Sequence, residues 1–305
     1  MRRAGLVAVL LAAGCVPQVA PPPAPAAPRP IAVAVPPPPP VTAPTRADFT
    51  VEGDLAQGGL ARGRAPSTAL SVTLEDTRVE LAEDGRFVIG FDRDAGAEAR
   101  LVATLPGGRT VERVLTIAPT AWSTQAVDVA FRPGGVSDED YAERRGRETA
   151  AIAAARERVT NATGWRERFA WPAMGRISGR FGNQRVYRGG VRGSPHSGVD
   201  IAVPRGTSVL APASGVVVLV SPGEFALEGN LLIVDHGHGL TSAFLHLDRI
   251  TVREGQAVTA GQPIAAVGST GRATGPHLHW TLRWNGQRLD PQRVAERDAD
   301  VTRLP

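Results

Sequence analysis

Between residues 171 and 291 the chain never holds an apolar period of 3.6 long enough for a helix; short apolar runs are punctuated by glycine. Nineteen of the 34 glycines lie in this stretch. The runs 208–210, 215–220, 231–234, 240–244, 263–267 and 278–284 have strand length and turn-forming borders. That pattern leaves an all-β domain as the fold. The same stretch holds all six histidines, His196, His236, His238, His246, His277 and His279. Such clustering is the first hint of a metal site.

A second β unit precedes it. Residues 48–131 alternate apolar and polar side chains at 70–74 and 87–91, and Asp84-Gly85 and Pro106-Gly107-Gly108 supply turns. Residues 101–105 and 111–117 flank the second turn as a hairpin, so this unit reads as a small β-sandwich. It has no His or Cys, and reads as a spacer or a surface for envelope protein partners. Residues 137–161 read as a helix, with Ser137 as N-cap, acids in the first turn and an alanine-rich middle. They make the core of a helical connector over 132–170. Residues 292–305 read as a C-terminal tail.

The first 47 residues read as export and tether rather than fold. Residues 1–15 open on Met1-Arg2-Arg3, continue with about ten apolar residues and end in Leu11-Ala12-Ala13-Gly14-Cys15, a secretory signal with a lipobox. The departure is Ala12, where the pattern prefers a larger aliphatic residue. Cys15 is the chain's single cysteine, which excludes an intrachain disulfide and a cysteine-rich zinc module. Val16 rather than Asp after Cys15 favours the outer membrane for a Gram-negative lipoprotein. Residues 16–47 are a proline-rich disordered tether; 13 of the 26 prolines fall at 17–44. Extended at 3.1 Å per residue, that tether reaches roughly 80 Å. No run of about 18 apolar residues marks a transmembrane helix. All 34 basic residues are Arg, but a net charge of +4 without a basic, aromatic-interleaved stripe gives no case for nucleic acid.

The histidines fall into three elements. In Pro195-His196-Ser197-Gly198-Val199-Asp200, Pro and Gly argue against a helix. A straight strand would hold His196 and Asp200 about 13 Å apart at Cα, too far for one ion. The chain should therefore bend between them, and Gly198 is the residue that permits it. In Gly275-Pro276-His277-Leu278-His279-Trp280, His277 and His279 share one strand face, opposite Trp280 and Trp284, which parity assigns to the core. His246, in Phe244-Leu245-His246-Leu247, fits a core position as well as a functional one.

Together with Gly179-Arg180-Phe181-Gly182, Ala211-Pro212-Ala213-Ser214-Gly215, the run from Gly229 to Gly237, Val258 to Gln262 and Gly268 to Gly271, these elements recur in the order seen in one family. The chain resembles the LytM/lysostaphin-type zinc metallopeptidases, the murein endopeptidases, over 171–291, and its layout resembles Gram-negative envelope members. The resemblance implies a mainly β chain: N-terminal β-sandwich, helical connector and C-terminal all-β LytM/lysostaphin-type peptidase domain. It implies one Zn²⁺ held by His196, Asp200 and His279. It implies His277 as general base toward a metal-activated water, with His246 stabilising the tetrahedral oxyanion or sharing the proton work. Phe244 departs from the Tyr usual in the family and reads as a structural position. His236 reads as a structural hairpin residue, and Arg180 and Arg185 as partners for stem-peptide carboxylates.

The expected function is zinc-dependent hydrolysis of peptide crosslinks in peptidoglycan, by a periplasmic lipoprotein anchored to the outer membrane through Cys15. The rival is a non-catalytic envelope regulator that activates murein amidases; such relatives have lost ligands, whereas all three are present here. A structural lipoprotein is the third reading, distinguished by carrying no zinc. The upstream segment is also expected to inhibit by covering the metal.

Overall fold

The computed structural model describes residues 47–128 and 139–300. The signal peptide, Cys15, nearly all of the proline-rich tether and Ser137 lie outside the described residues.

The N-terminal region forms two antiparallel sheets. One contains β1 (Thr50–Gly53), β2 (Leu60–Arg64) and β5 (Arg86–Gly90); the other runs β4 (Thr77–Val79), β3 (Ser71–Leu74), β6 (Glu98–Thr104) and β7 (Thr110–Thr116). The alternation in β6 is plain: Ala99, Leu101 and Ala103 are buried while Glu98 and Arg100 are exposed. β8 (Thr124–Val127) pairs with neither sheet.

Helix α1 (Glu139–Arg156) falls inside the stretch read as helical. It docks through Ile152 and Ala155 onto Val218, Leu231, Ile233 and Ala243. Arg145 bridges Glu148 and Glu228 at 2.6 and 2.7 Å. The helix ends at Arg156, short of Asn161, and beyond its end Thr160 donates its hydroxyl to Asp235 Oδ2 at 2.5 Å.

The C-terminal region is all-β, as the glycine punctuation predicts, and is built on a ten-stranded sheet. Its members are β9 (Arg176–Gly179), β11 (Val199–Ala202), β12 (Ser208–Leu210), β13 (Gly215–Val220), β14 (Asn230–Asp235), β15 (Leu240–Ile250), β16 (Ala257–Val258), β17 (Pro263–Val267), β18 (Leu278–Trp284) and β19 (Gln287–Leu289). The main path runs β16-β13-β14-β15-β18-β11-β9. β10 (Gln184–Tyr187) leaves that sheet and pairs in parallel with β8.

Residues 291–300 depart from the expected tail: they form helix α2 (Pro291–Asp300). The signal was present in the sequence. Asp290 caps the helix by accepting the Gln292 N–H at 3.0 Å, and Pro291 sits where its missing N–H costs nothing. Val294 and Ala295 are buried.

The N-terminal and C-terminal sheets share one continuous buried cluster, with Val72, Phe87, Ile89 and Leu101 from the first and Val199, Trp280, Leu282 and Trp284 from the second. Charged pairs fasten the same seam. Arg288 binds Asp92 at 2.7 Å, and Arg293 grips Asp54 through two bonds of 2.7 and 3.0 Å. Arg62 donates to the carbonyls of Trp165 and Glu167 at 2.8 and 2.6 Å.

Candidate metal centre

Antiparallel pairing sets Asp200 of β11 directly opposite His279 of β18. His196 lies upstream of β11, and the chain bends at Gly198 to bring its ring back over the strand. Gly198 is needed there for close approach: a Cβ would stand 2.3 Å from the Trp280 carbonyl oxygen and 2.9 Å from His279 Nε2.

The result is a tight triangle of donor atoms. His279 Nδ1 stands 2.7 Å from Asp200 Oδ1, His196 Nε2 stands 3.2 Å from the same oxygen, and the two nitrogens are 3.1 Å apart. Donors held tetrahedrally at 2.0–2.2 Å from one ion stand about 3.3–3.6 Å apart, so a small outward shift makes room for a metal. Among the described residues this is the one His/Cys/Asp/Glu group with that geometry. His196 Nδ1–H donates to the Arg180 carbonyl at 3.0 Å, which leaves the Nε2 lone pair facing the triangle.

The electrostatics agree with a cation site. Burial works to raise the Asp200 pKa, but hydrogen bonds from His196 and His279, with their charge, hold it well below the usual carboxylate range. Burial opposes protonation of His196, yet the Asp200 carboxylate wins and raises its pKa. For His279 burial prevails and the pKa is lowered, against the pull of Asp200.

Two further histidines stand beside the triangle. His277 Nε2 is 3.7 Å from Asp200 Oδ1, and its Nδ1–H donates to the Gly275 carbonyl at 2.8 Å. His246 faces His277 with ring centroids 4.8 Å apart, and its Nδ1–H donates to the Thr270 carbonyl at 2.9 Å. Its φ is +61°, an unusual backbone state for a side-chain-bearing residue, set where the β14–β15 register slips. Its N–H is held there by the Glu228 carbonyl at 2.8 Å. Burial, with the nearby His279 and His277, pushes its pKa down to about 4 against the Thr270 bond.

The remaining residues singled out by sequence fall elsewhere. His236 is fully buried at the β14–β15 turn, between the Ser214 carbonyl and the Ser242 hydroxyl, each at 2.8 Å. His238 stacks on Trp165 with centroids 4.1 Å apart. Trp280, Trp284 and Phe244 are core residues.

Residues 194–291 match the profile of peptidase family M23. The chain carries an M23 peptidase domain. That domain contains all five residues of the cluster. The matching stretch is 38% identical over 128 residues to peptidoglycan DD-endopeptidase ShyA of Vibrio cholerae, covering 42% of this chain and 29% of ShyA. It is 40% identical over 134 residues to the lipoprotein NlpD/LppB homolog of Pseudomonas aeruginosa, covering 44% of this chain and 40% of that protein. The chain thus spans well under half the length of these curated relatives. A crystal structure described as a candidate M23 peptidase of Pseudomonas aeruginosa aligns over 79% of this chain and 94% of its own, with TM-score 0.58 and 28% identity. That coverage carries the likeness beyond the M23 domain into the N-terminal sheets.

A cleft of about 570 Å³ opens on His196 and Asp200. Arg180 and Arg185 line it, and so do Ser123 and Gln125 from upstream of the M23 domain, which sequence reasoning missed. Among the described residues, that upstream segment lines the cleft, and His196 and Asp200 keep 25% and 23% of their side chains exposed.

Proposed function

We propose that the chain is a zinc-dependent endopeptidase that hydrolyses peptide crosslinks of peptidoglycan during cell-wall remodelling. One observation carries this reading: His196, Asp200 and His279 converge to within 2.7–3.2 Å, with His277 and His246 beside them. Two imidazoles and a carboxylate suit Zn²⁺, and three protein donors are the open arrangement of a catalytic site. Bound there, zinc supplies Lewis acidity, which brings the pKa of a water molecule towards 7 and draws charge onto a carbonyl oxygen.

The chain's own groups do the proton work. With Nδ1–H fixed to Gly275, His277 offers its Nε2 lone pair as general base and returns the proton to the leaving amine. His246, neutral at pH 7 with Nδ1–H committed to Thr270, likewise presents an acceptor nitrogen. That tautomer suits sharing of the proton better than donation to an oxyanion.

The same reading puts the protein in the periplasm, held to the outer membrane by a lipid on Cys15. Among the described residues no helix is long and apolar enough to cross a membrane. An amidase-activating regulator remains the alternative; the intact ligand set favours the enzyme. The test is digestion of purified sacculi. Crosslinked dimers should fall to monomers, and a chelator should stop the reaction. Unchanged sacculi, or digestion only when an amidase is added, would overturn the proposal.

A further inference from the structure

Strand β8 belongs to the N-terminal half of the chain but pairs in parallel with β10, Gln125 beside Arg185. It is fastened at both ends. Trp122 packs edge-on against Phe181 with centroids 5.4 Å apart, and its Nε1–H donates to the Arg93 carbonyl at 3.0 Å. Arg93 in turn donates to the Gly182 carbonyl at 3.1 and 3.0 Å. At the far end Arg188 Nε donates to Asp128 Oδ1 at 2.8 Å. Side chains alternate along a strand, so Ser123, Gln125, Arg185 and Tyr187 share one face. That face lines the cleft leading to His196 and Asp200.

The charge of the cleft is one-sided. Arg180, Arg185 and Arg272 line it, and of its described lining residues only the metal ligand Asp200 is acidic. Arg180 is engaged, donating to Gln292 Oε1 at 2.7 Å. Arg185 and Arg272 are exposed, and among the described residues neither guanidinium has an ion-pair partner. A planar guanidinium fork matches a carboxylate in two parallel bonds, and an amide beside it can donate a third.

We propose that β8 completes the substrate site: with β10 it forms a wall on which Arg185, flanked by Gln125 and supported by Arg272, binds a carboxylate of the peptide substrate. This rests on the endopeptidase reading and adds to it a substrate class, anionic rather than neutral crosslink peptides. It also gives the N-terminal half a direct part in recognition.

The test uses the full chain loaded with zinc and two crosslinked peptides of identical sequence, one with free carboxyls and one with those carboxyls amidated. The acid form should be cut with kcat/KM about tenfold higher or more, the discrimination a charge-assisted hydrogen bond supplies. Arg185→Gln should bring that ratio close to one. Gln125→Glu should do the same from outside the M23 domain, by setting a competing carboxylate beside Arg185. Both side chains are exposed, so folding is not at stake. Equal cutting of the two peptides by the wild type overturns the inference, as does an undiminished ratio in both variants. Binding of the same peptides to His277→Ala separates the two proposals. Preference in binding with no cleavage by the wild type sinks the endopeptidase reading and keeps the subsite; cleavage without preference does the reverse.

Discussion

His236 gives a stability prediction whose size follows from its surroundings. The ring is fully buried at the turn between β14 and β15, held between the Ser214 carbonyl and the Ser242 hydroxyl. Burial pushes its pKa down from an ordinary 6.5 to about 4, against the Ser214 bond. Above pH 6.5 the imidazole is neutral in both folded and unfolded chains, and it adds nothing to the pH dependence. As the pH falls from 6.5 towards 4, the unfolded chain takes up a proton that the folded chain refuses, so stability is lost. At 1.36 kcal/mol per pH unit the loss reaches about 3 kcal/mol, and then stops. Urea unfolding followed by tryptophan fluorescence, at steps from pH 7.5 to 4, reads this directly. His236→Gln keeps an amide that can reach the same partners but does not titrate. The wild type's stability advantage over His236→Gln should shrink by about 3 kcal/mol across that range. A constant difference between the two proteins would refute the assignment of a buried, neutral His236.

Two further outcomes test packing at the site. Gly198→Ala drives a methyl to 2.3 Å from the Trp280 carbonyl and should cost about 1–3 kcal/mol, with weaker metal uptake. A thermal melt and a metal titration matching the wild type would contradict the close approach. Phe244→Tyr adds a hydroxyl at a position with 0% exposure and should cost about 1–3 kcal/mol without raising turnover. A gain in activity would show that the position is functional.

The strands of the C-terminal sheet were legible because each is short, apolar and bounded by turn residues; β12, β13, β17 and β18 keep the boundaries read from sequence. The grouping of His196, Asp200 and His279 was legible through motif order, and Gly198 signalled the bend that brings His196 to Asp200. Helix α2 was missed although Asp290-Pro291 announced it, since Val294 and Ala295 make too short an apolar pattern to stand out. Arg180 and Arg185 were picked out from sequence as carboxylate partners, but the wall that pairs Arg185 with Gln125 was not legible. Gln125 and Arg185 are 60 residues apart, and parallel pairing over such a distance leaves no local periodicity. The strain at His246 was equally hidden, because it arises from a register slip between β14 and β15 and not from any glycine.

Metal content after exhaustive dialysis, read by atomic absorption on wild type, His279→Ala and His277→Ala, tests the centre most directly. One zinc per chain is expected in the wild type and in His277→Ala, with none in His279→Ala. Zinc held by His279→Ala, zinc lost from His277→Ala, or a wild type that takes up no metal would contradict it.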